Sequence, residues 1–408
     1  MKNSIFIVID AMRNYRSSSD ERGRQDVIDK LPQKGFSLFD GICVTAPSSL
    51  MSSVTMLTGK YAYAQFPNYQ NTDFSRYEVN TLTHKLKKRG ISTYGLFSAR
   101  EMREKLKSEY SYIDSKYLIY KSAYLQERWT NKYIYEQVNF LVKENFFDKE
   151  FHLMLWFNSR DDKSTSFYVE KTIESLERIP HWDSTFVLVT GDHGYPDLRR
   201  GFTSDGPDLK KVGLRHDLIM TDDNLIVPLA CKYGKESINK IINKGIYKQE
   251  LIYDLANSFY ENKSLNSLGS IFKKYYIDKE NYYIGDSRFF LQEDRVTTVR
   301  SGDRKLIIKN NGNYLEGFNL SSDKLEDKPL TINLKEIPRD FQDLYKYYVD
   351  IEKENLKLWV DKYKKIIKFE CIKSNKLREL ICNSQNNRIK VIGSDTFKKV
   401  IKKALSTL

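Results

Sequence analysis

An adjacent aspartate and histidine, Asp192 and His193, stand between two glycines directly after an apolar run. A carboxylate and an imidazole side by side are good ligands for Zn²⁺ or Mn²⁺. The flanking residues Gly191 and Gly194 let the backbone turn tightly and approach an ion or a phosphate closely. Asp10 ends another apolar run, and its carboxylate on its own suits a turn as well as a ligand. Together these side chains predict a site for a divalent metal ion.

Residues 43–61, CVTAPSSLMSSVTMLTGKY, are unusually dense in hydroxyl groups. The candidate nucleophiles there are Thr45, Ser48, Ser49, Ser52, Ser53, Thr55 and Thr58. The composition predicts a loop that enters a helix with its N-cap near Ser48 or Ser49. Unpaired N–H groups and the positive end of the helix dipole would suit an anionic group at that point.

His216 is a further candidate, since it lies in a basic loop just before the acidic pair Asp222-Asp223. It could contact substrate or protonate a leaving oxygen, and the alternative is a solvated loop histidine. Residues 195–215 are rich in Gly, Pro and basic side chains, which is typical of a flap over a site.

The apolar runs predict the elements that position these side chains. Continuous β-branched runs indicate strands buried on both faces of a parallel sheet. We expect them over residues 4–9, 91–97, 151–157, 184–190 and 225–230, with a shorter strand over 41–44. Helical spacing predicts helices over residues 77–89, 167–179 and 250–260. Asp10 and Asp192 then lie at carboxyl ends of strands, where open α/β sheets place their sites.

Composition limits the class of protein. The chain has 408 residues, of which 40% are apolar and 30% charged, as in a soluble protein with more than one structural unit. Its net charge of +13 favours anionic partners, or else reflects a Lys-rich solvated surface, and no nucleic-acid-binding motif is present. Four widely spaced cysteines favour reduced thiols and a cytoplasmic location. No apolar run approaches the ~18 residues of a transmembrane helix, so no membrane span is expected.

These motifs, in their order along the chain, resemble those of the sulfatase-like branch of the alkaline phosphatase superfamily. That branch includes sulfatases, phosphonate monoester hydrolases, and phosphoethanolamine and phosphoglycerol transferases. The resemblance rests on Asp10 after the first strand, Leu57-Thr58-Gly59, Gly191-Asp192-His193-Gly194, His216 and Val227-Pro228-Leu229.

This resemblance covers roughly residues 1–320 and implies an α/β fold. The fold would have a mixed, mostly parallel sheet flanked by helices and a smaller C-terminal α+β subdomain. A helical tail is predicted from the Lys-rich sequence after about residue 335, which the resemblance does not cover. The corresponding divisions are a catalytic core over 1–245, a subdomain over 246–335 and a Lys-rich helical extension over 336–408. The extension is an exposed appendage or a docking surface for an anionic partner or a second subunit.

The nucleophile is also implied by the resemblance. The family places it nine residues before the threonine of Leu-Thr-Gly, and that position is Ser49. Met51 and Ser53 stand where sulfatases have the Pro and Arg that the formylglycine-generating machinery reads. Ser49 is therefore expected to act unmodified, without a formylglycine.

A metal-activated serine is the expected chemistry. The resemblance implies that Asp10, Asp192 and His193 hold one divalent ion with Ser49 as a further ligand. Ala11 replaces a second aspartate of many sulfatases, which favours Mn²⁺ or Zn²⁺ over Ca²⁺ or Mg²⁺. Such an ion would lower the pKa of the Ser49 hydroxyl.

Arg13, Lys60 and His216 are candidates for binding the substrate oxygens, and His216 also for protonating the leaving group. The expected function is a sulfatase-like hydrolase or transferase cleaving a phosphate, phosphonate or sulfate ester, with phosphoryl esters preferred. The substrate would be an anionic ester, either free or linked to a glycan or lipid. The alternative is a non-catalytic scaffold with this fold that docks an anionic partner through its basic tail.

Overall fold

A computed structural model describes most of the chain up to residue 355. The described residues are 2–14, 26–61, 80–98, 102, 106, 108–112, 130–159, 162–196, 219–236, 238–239, 242, 244–287, 295–309, 314–324, 326 and 328–355. Four predicted features lie wholly or partly outside them. These are His216, most of the predicted flap, the start of the helix predicted over 77–89, and the Lys-rich extension beyond residue 355.

An eight-stranded mixed sheet, here called sheet A, forms the centre of the molecule. Its strands are β1 Ser4–Asp10, β2 Ser37–Cys43, β3 Ser92–Phe97, β4 Ser111–Tyr112, β5 Phe151–Asn158, β6 Phe186–Gly191, β7 Ile226–Tyr233 and β8 Ile246–Lys248. Their spatial order is β4-β3-β5-β1-β6-β7-β2-β8. Strand β7 runs antiparallel to β6 and β2, whereas the other pairs are parallel. The predicted mixed, mostly parallel sheet is therefore confirmed.

Helices cover both faces of sheet A. They are α1 Val27–Lys30, α2 Ser49–Thr58, α3 Leu82–Lys88, α4 Asn131–Lys143, α5 Asp162–Leu176, α6 Asp222–Leu225, α7 Leu251–Tyr260 and α8 Leu265–Tyr275. Side chains of β1 alternate between two buried layers, because successive residues of a strand point to opposite faces. Phe6 and Val8 pack with α2, α3, α7 and α8, whereas Ile5, Ile7 and Ile9 pack with α1, α4 and α5.

A second, five-stranded antiparallel sheet, here called sheet B, follows in the chain. Its strands are β9 Tyr283–Asp286, β10 Val296–Ser301, β11 Arg304–Lys309, β12 Tyr314–Asn319 and β13 Leu330–Ile332. A helix over 339–355, here α9, packs Phe341, Leu344 and Tyr348 against this sheet. Sheet B agrees with the smaller α+β part that the resemblance implies, and α9 begins the helical tail that the Lys-rich sequence predicts.

Some strand limits differ from those expected. The structure extends β2 back to Ser37, although residues 41–44 alone were predicted. Polar Ser37 and Asp40 interrupt the apolar pattern there, and the pairing with β7 shifts register between Phe39 and Ile42. Strand β6 begins at Phe186 because a 3₁₀ turn occupies Trp182–Ser184.

His152, inside β5, is a core residue rather than a site residue. Its Nδ1 lies 2.7 Å from Ser4 Oγ, and its Nε2 lies 3.3 Å from the Tyr110 hydroxyl. Burial lowers its pKa to about 3, so the imidazole is neutral. Among the helices of the described chain, none is both long and apolar enough to cross a membrane.

Candidate active site

Neighbouring strands bring Asp10 and Asp192 together. Strands β1 and β6 are parallel and adjacent, with Ile9 paired to Gly191. Asp10 is the last residue of β1, and Asp192 follows β6 directly. Both carboxylates therefore reach the same edge of sheet A, where parallel sheets place their ligands.

Helix α2 delivers Ser49 to that edge. Ser48 is the N-cap with extended backbone, and Ser49 is the first helical residue, as the sequence predicted. The Ser49 hydroxyl oxygen lies 3.3 Å from Asp10 Oδ1 and 3.4 Å from His193 Nε2. Gly59 closes the helix in the left-handed conformation that glycine adopts without strain. The backbone thus aims a hydroxyl at the two aspartates and the histidine.

Several other hydroxyls of the 43–61 stretch hold α2 in place. Ser53 Oγ donates to the Ser49 carbonyl at 2.7 Å, and Thr58 Oγ1 donates to Val54 at 2.7 Å. The amide nitrogen of Gln249 donates to Ser52 Oγ. The hydroxyls of Thr45 and Thr55 lie 2.6 Å apart. These bonds are structural, and they single out Ser49 as the hydroxyl of this group that contacts Asp10 and His193.

Asp192 is completely buried, and its two oxygens differ. Its Oδ1 accepts hydrogen bonds from the Ala11 N–H at 2.8 Å and from its neighbour His193 N–H at 2.9 Å. Its Oδ2 has no hydrogen-bond partner. Burial raises the pKa of Asp192 to about 6, although these hydrogen bonds act in the opposite direction. A buried carboxylate oxygen without a donor is well suited to bind a cation.

The orientation of the His193 ring leaves one nitrogen for a ligand. Nδ1 lies 2.6 Å from the Gly194 carbonyl oxygen, which can only accept a hydrogen bond. Nδ1 therefore carries the proton, and the lone pair of Nε2 faces the carboxylates. Nε2 lies 3.7 Å from Asp10 Oδ1 and 3.6 Å from Asp192 Oδ2. His193 is 2% exposed, whereas the Asp10 side chain is 28% exposed, so the cluster opens on the Asp10 side.

These donor atoms fit a divalent metal ion. Ligand atoms of Asp10, Asp192 and His193 all lie within 4.8 Å of one another. Four separations between these atoms and Ser49 Oγ, or among these atoms, run from 3.3 to 3.7 Å. A tetrahedral site with bonds of about 2.0–2.1 Å separates its ligand atoms by roughly 3.3–3.4 Å. Carboxylate, imidazole and hydroxyl donors suit Mn²⁺ or Zn²⁺.

The segment carrying Asp192 and His193 is fastened to α6. The Gly194 N–H donates to Asn224 O at 2.8 Å, and the Tyr195 N–H donates to Asp223 O at 3.1 Å. A Cβ at Gly194 would overlap the carbonyl of Asp223. Gly194 thus serves close backbone packing. The sequence shows Asp222-Asp223 only as an acidic pair. It does not predict that α6 holds the metal-ligand segment, because backbone atoms form those hydrogen bonds.

We predict that Gly194→Ala lowers the free energy of unfolding by about 1–3 kcal/mol, since backbone must move to admit the methyl group. The metal-ligand segment would move with it, so metal affinity should fall as well. Gly269→Ala is the matched control, because Gly269 lies in α8 with open space at its Cβ position. That change should be neutral or stabilising by up to about 1 kcal/mol. Urea unfolding of both variants measures the difference, and equal stabilities would contradict the prediction.

The remaining candidates are placed differently. Arg13 is buried, donates from Nε to the Tyr195 carbonyl and lies over the Tyr195 ring at 5.5 Å, beside the metal-ligand segment. Lys60 lies exposed beyond the C-terminal end of α2, roughly 15 Å from Ser49 by the helical rise. The structure does not bring Lys60 to the cluster. His216 lies outside the described residues, so its role stays a prediction.

Several solved structures share the fold of this chain. A putative sulfatase from Bacteroides thetaiotaomicron is 14% identical, with a TM-score of 0.58 over 89% of this chain and 94% of that chain. The lipoteichoic acid synthase LtaP from Listeria monocytogenes is 12% identical, with a TM-score of 0.56 over 87% and 91%. An alkaline phosphatase superfamily protein from Vibrio parahaemolyticus is 12% identical, with a TM-score of 0.54 over 82% and 83%.

Sequence comparison adds no assignment. No protein-family model matches the chain, and no curated protein matches it. The structural matches show that the chain has the fold of the sulfatase-like branch of the alkaline phosphatase superfamily, as its motifs implied.

Proposed function

We propose that this chain is a metal-dependent sulfatase-like hydrolase or transferase that cleaves an anionic ester through Ser49. The observation that carries the proposal is the convergence of the Ser49 hydroxyl with Asp10 Oδ1 and His193 Nε2, at 3.3 and 3.4 Å, beside the unpartnered Oδ2 of Asp192. A putative sulfatase and a lipoteichoic acid synthase share the fold, and their names support this class of chemistry.

Each residue has a distinct task in this proposal. A bound divalent ion would lower the pKa of the serine hydroxyl and offset charge on the transferring group. Ser49 Oγ donates to Asp10 Oδ1, so Asp10 is placed to orient the hydroxyl or take its proton. Asp192 and His193 would hold the ion from the buried side, with Asp10 as the third ligand. The N-terminus of α2 presents backbone N–H groups beside Ser49, where substrate oxygens would lie.

The reaction would proceed in two displacements. The Ser49 oxygen forms a bond to phosphorus as the bond to the leaving oxygen breaks, and the leaving oxygen takes a proton from a general acid. His216 is our candidate for that acid, and Arg13 is our candidate for a contact to the substrate. Water or an acceptor alcohol then attacks phosphorus, and the bond to Ser49 breaks with return of a proton to the hydroxyl.

A phosphoryl ester is the preferred substrate in this proposal. An unmodified serine suits phosphoryl transfer, and Met51 and Ser53 replace the residues that formylglycine formation requires. The net charge of +13 favours an anionic substrate, including one linked to a glycan or lipid.

We predict that the peptide containing Ser49 has its unmodified mass, without the loss of two hydrogens that formylglycine formation causes. Mass spectrometry of a digest, after co-expression with a formylglycine-generating enzyme that acts on serine, tests this. A known sulfatase whose formylglycine is made from serine, expressed in the same cells, is the positive control. Conversion of Ser49 there would show that the recognition signal survives Met51 and Ser53.

The function itself is tested with protein stripped by a chelator and reloaded with Mn²⁺ or Zn²⁺. Aryl phosphate, phosphodiester, phosphonate and sulfate esters are compared at equal concentration. We expect metal-dependent cleavage, fastest on a phosphoryl ester. A sulfate ester cleaved fastest would reverse the substrate preference. Absence of metal binding and of turnover would instead favour the scaffold alternative.

One observation supports the enzyme proposal over that scaffold alternative. A completely buried carboxylate with an unpartnered oxygen destabilises a metal-free fold. A protein that only docks partners has no physical need to keep Asp192 in this position.

A further inference from the structure

Four buried charged side chains lie between α6 and sheet B, and we call them the buried charge cluster. Its members are Asp222 on α6, Arg300 on β10, Lys305 on β11 and Glu326 after β12. Asp222 pairs with Arg300 Nη1 at 2.5 Å and with Lys305 Nζ at 2.7 Å. Glu326 pairs with Lys305 at 2.5 Å and also accepts a hydrogen bond from the Asp222 N–H at 2.6 Å. Two carboxyl groups therefore face two cations, and burial raises the pKa of Glu326 to about 7.

The cluster is connected to the metal-ligand segment through the backbone of α6. Asp222 is followed by Asp223 and Asn224, whose carbonyls accept hydrogen bonds from Tyr195 and Gly194. The Gly194 carbonyl in turn accepts from His193 Nδ1 at 2.6 Å. Gly194 therefore has both of its peptide groups committed, its N–H to α6 and its carbonyl to the His193 ring. A displacement of α6 would change the direction of the His193 ring.

We propose that the buried charge cluster positions His193 and Asp192 for metal binding, so that sheet B contributes to the active site without touching substrate. This proposal rests on the metal site proposed above. Asp222 is a positioning residue in it, since its carboxylate is fully engaged by Arg300 and Lys305. The pKa of Asp222 is lowered to about 2 by these cations against the effect of burial, and the carboxylate stays ionised.

The charges make α6 difficult to displace. Removing one partner of a buried ion pair leaves an uncompensated charge, which is strongly destabilising. Moving α6 away from sheet B would separate Asp222 from both cations at once. The position of α6, and with it the Gly194 peptide, is therefore more tightly defined than apolar packing alone would make it.

The test compares Asp222→Asn with Asp286→Asn. Asp286 is also fully buried and pairs with a sheet B cation, Arg295 Nη2, at 2.7 Å. Its backbone N–H donates to Thr45, away from the Asp192–His193 segment. Both variants should lower the melting temperature. Zn²⁺ affinity, measured by competition with a chelating dye, should fall about 10–100-fold in Asp222→Asn, as for loss of an outer partner of a metal ligand. It should stay within about threefold in Asp286→Asn.

Equal Zn²⁺ affinity of wild type and Asp222→Asn, with both Asn variants similarly destabilised, would overturn the proposal and leave the cluster a purely structural feature. Failure of the wild type to bind Zn²⁺ or Mn²⁺ would instead overturn the proposed function. The two failures are therefore distinguishable.

A second pair of variants covers the case in which Asp222→Asn does not fold. Glu326→Gln keeps the shape and one acceptor of the cluster, and Glu316→Gln changes a buried glutamate of sheet B that pairs with Lys309 at 3.0 Å. We expect a Zn²⁺ affinity about 10-fold weaker in Glu326→Gln only, which is the lower end of the range for loss of an outer partner of a metal ligand. Unchanged affinity in both would overturn the proposal.

Discussion

Replacing Ser49 with alanine should lower turnover of the best ester substrate by about 10³-fold or more while the fold stays intact. The hydroxyl is the group that would form the covalent bond, and alanine offers no atom in its place. Ser49 begins α2, and alanine is a good helix former, so the helix should persist. Asp10, Asp192 and His193 remain, so metal affinity should fall far less than turnover.

The matched control is Ser53→Ala, one turn further along the same helix. Its hydroxyl donates to the Ser49 carbonyl at 2.7 Å and has a structural role. Loss of that hydrogen bond should lower the free energy of unfolding by about 1 kcal/mol and change turnover only a few-fold. Steady-state kinetics, circular dichroism and metal titration of both variants give the comparison.

A covalent intermediate provides a second readout for Ser49. Acid-quenched wild-type protein should carry the transferred group on the peptide containing Ser49, and Ser49→Ala should carry none. Turnover of Ser49→Ala at the wild-type rate, or labelling of another residue, would show that Ser49 is not the nucleophile.

The sequence was sufficient to predict the central strands of sheet A and the position of the two aspartates at their ends. Runs such as SIFIVI and FHLMLWF can be satisfied only by burial on both faces, so they predict central strands of a parallel sheet. The carboxyl ends of such strands meet at one edge, which predicts that Asp10 and Asp192 converge. The start of α2 followed from hydroxyl residues that suit an N-cap.

The residues alone could not predict which hydroxyl group of the 43–61 stretch is the nucleophile. Composition left every serine and threonine of the 43–61 stretch as a candidate, and the family resemblance was needed to select Ser49. The structure explains the ambiguity, because residues such as Ser52, Ser53 and Thr55 are used in side-chain hydrogen bonds that stabilise the helix. Such bonds depend on neighbours like Gln249, which is 197 residues from Ser52 in the chain.

The buried charge cluster was unpredictable for a similar reason. Asp222 meets Arg300 and Lys305 across separations of 78 and 83 residues, and its N–H meets Glu326 across 104. Charged residues are normally read as exposed, and local periodicity carries no information on such distant pairs. The packing of sheet B against α6 had to be seen before these four residues could be connected with His193.

Asp192→Asn should weaken metal binding by more than the 10–100-fold that loss of an outer partner costs, because it removes a direct ligand. The same change should make the metal-free protein more stable at neutral pH. The amide keeps the Oδ1 acceptor for the Ala11 and His193 N–H groups. Its NH₂ group, at the place of Oδ2, would lie 3.6 Å from His193 Nε2, which is longer than a hydrogen bond. The amide is also uncharged, so the buried site no longer holds an ionised group at position 192.

The pH dependence of this effect has a definite sign. Burial raises the Asp192 pKa from 3.8 to about 6 in the folded, metal-free protein, so the folded state favours the protonated carboxyl. This favourable contribution is fully present below about pH 3.8 and is lost as pH rises through about 6. This rise in the pKa corresponds to about 3 kcal/mol, by which ionised Asp192 destabilises the metal-free fold above pH 6.

Denaturant unfolding of chelator-treated protein at pH 4 and pH 7.5 measures this. Asp192→Asn should exceed wild type in stability at pH 7.5 and approach it at pH 4, whereas excess Zn²⁺ should stabilise only the wild type substantially. The exposed Asp303→Asn is the control, because its side chain is in water and should show neither effect. A metal-free Asp192→Asn less stable than wild type at pH 7.5 would mean that the buried carboxylate already has a compensating cation within the protein. The site would then hold its charge balance without a metal ion, and the reason for assigning Asp192 as a ligand would be lost.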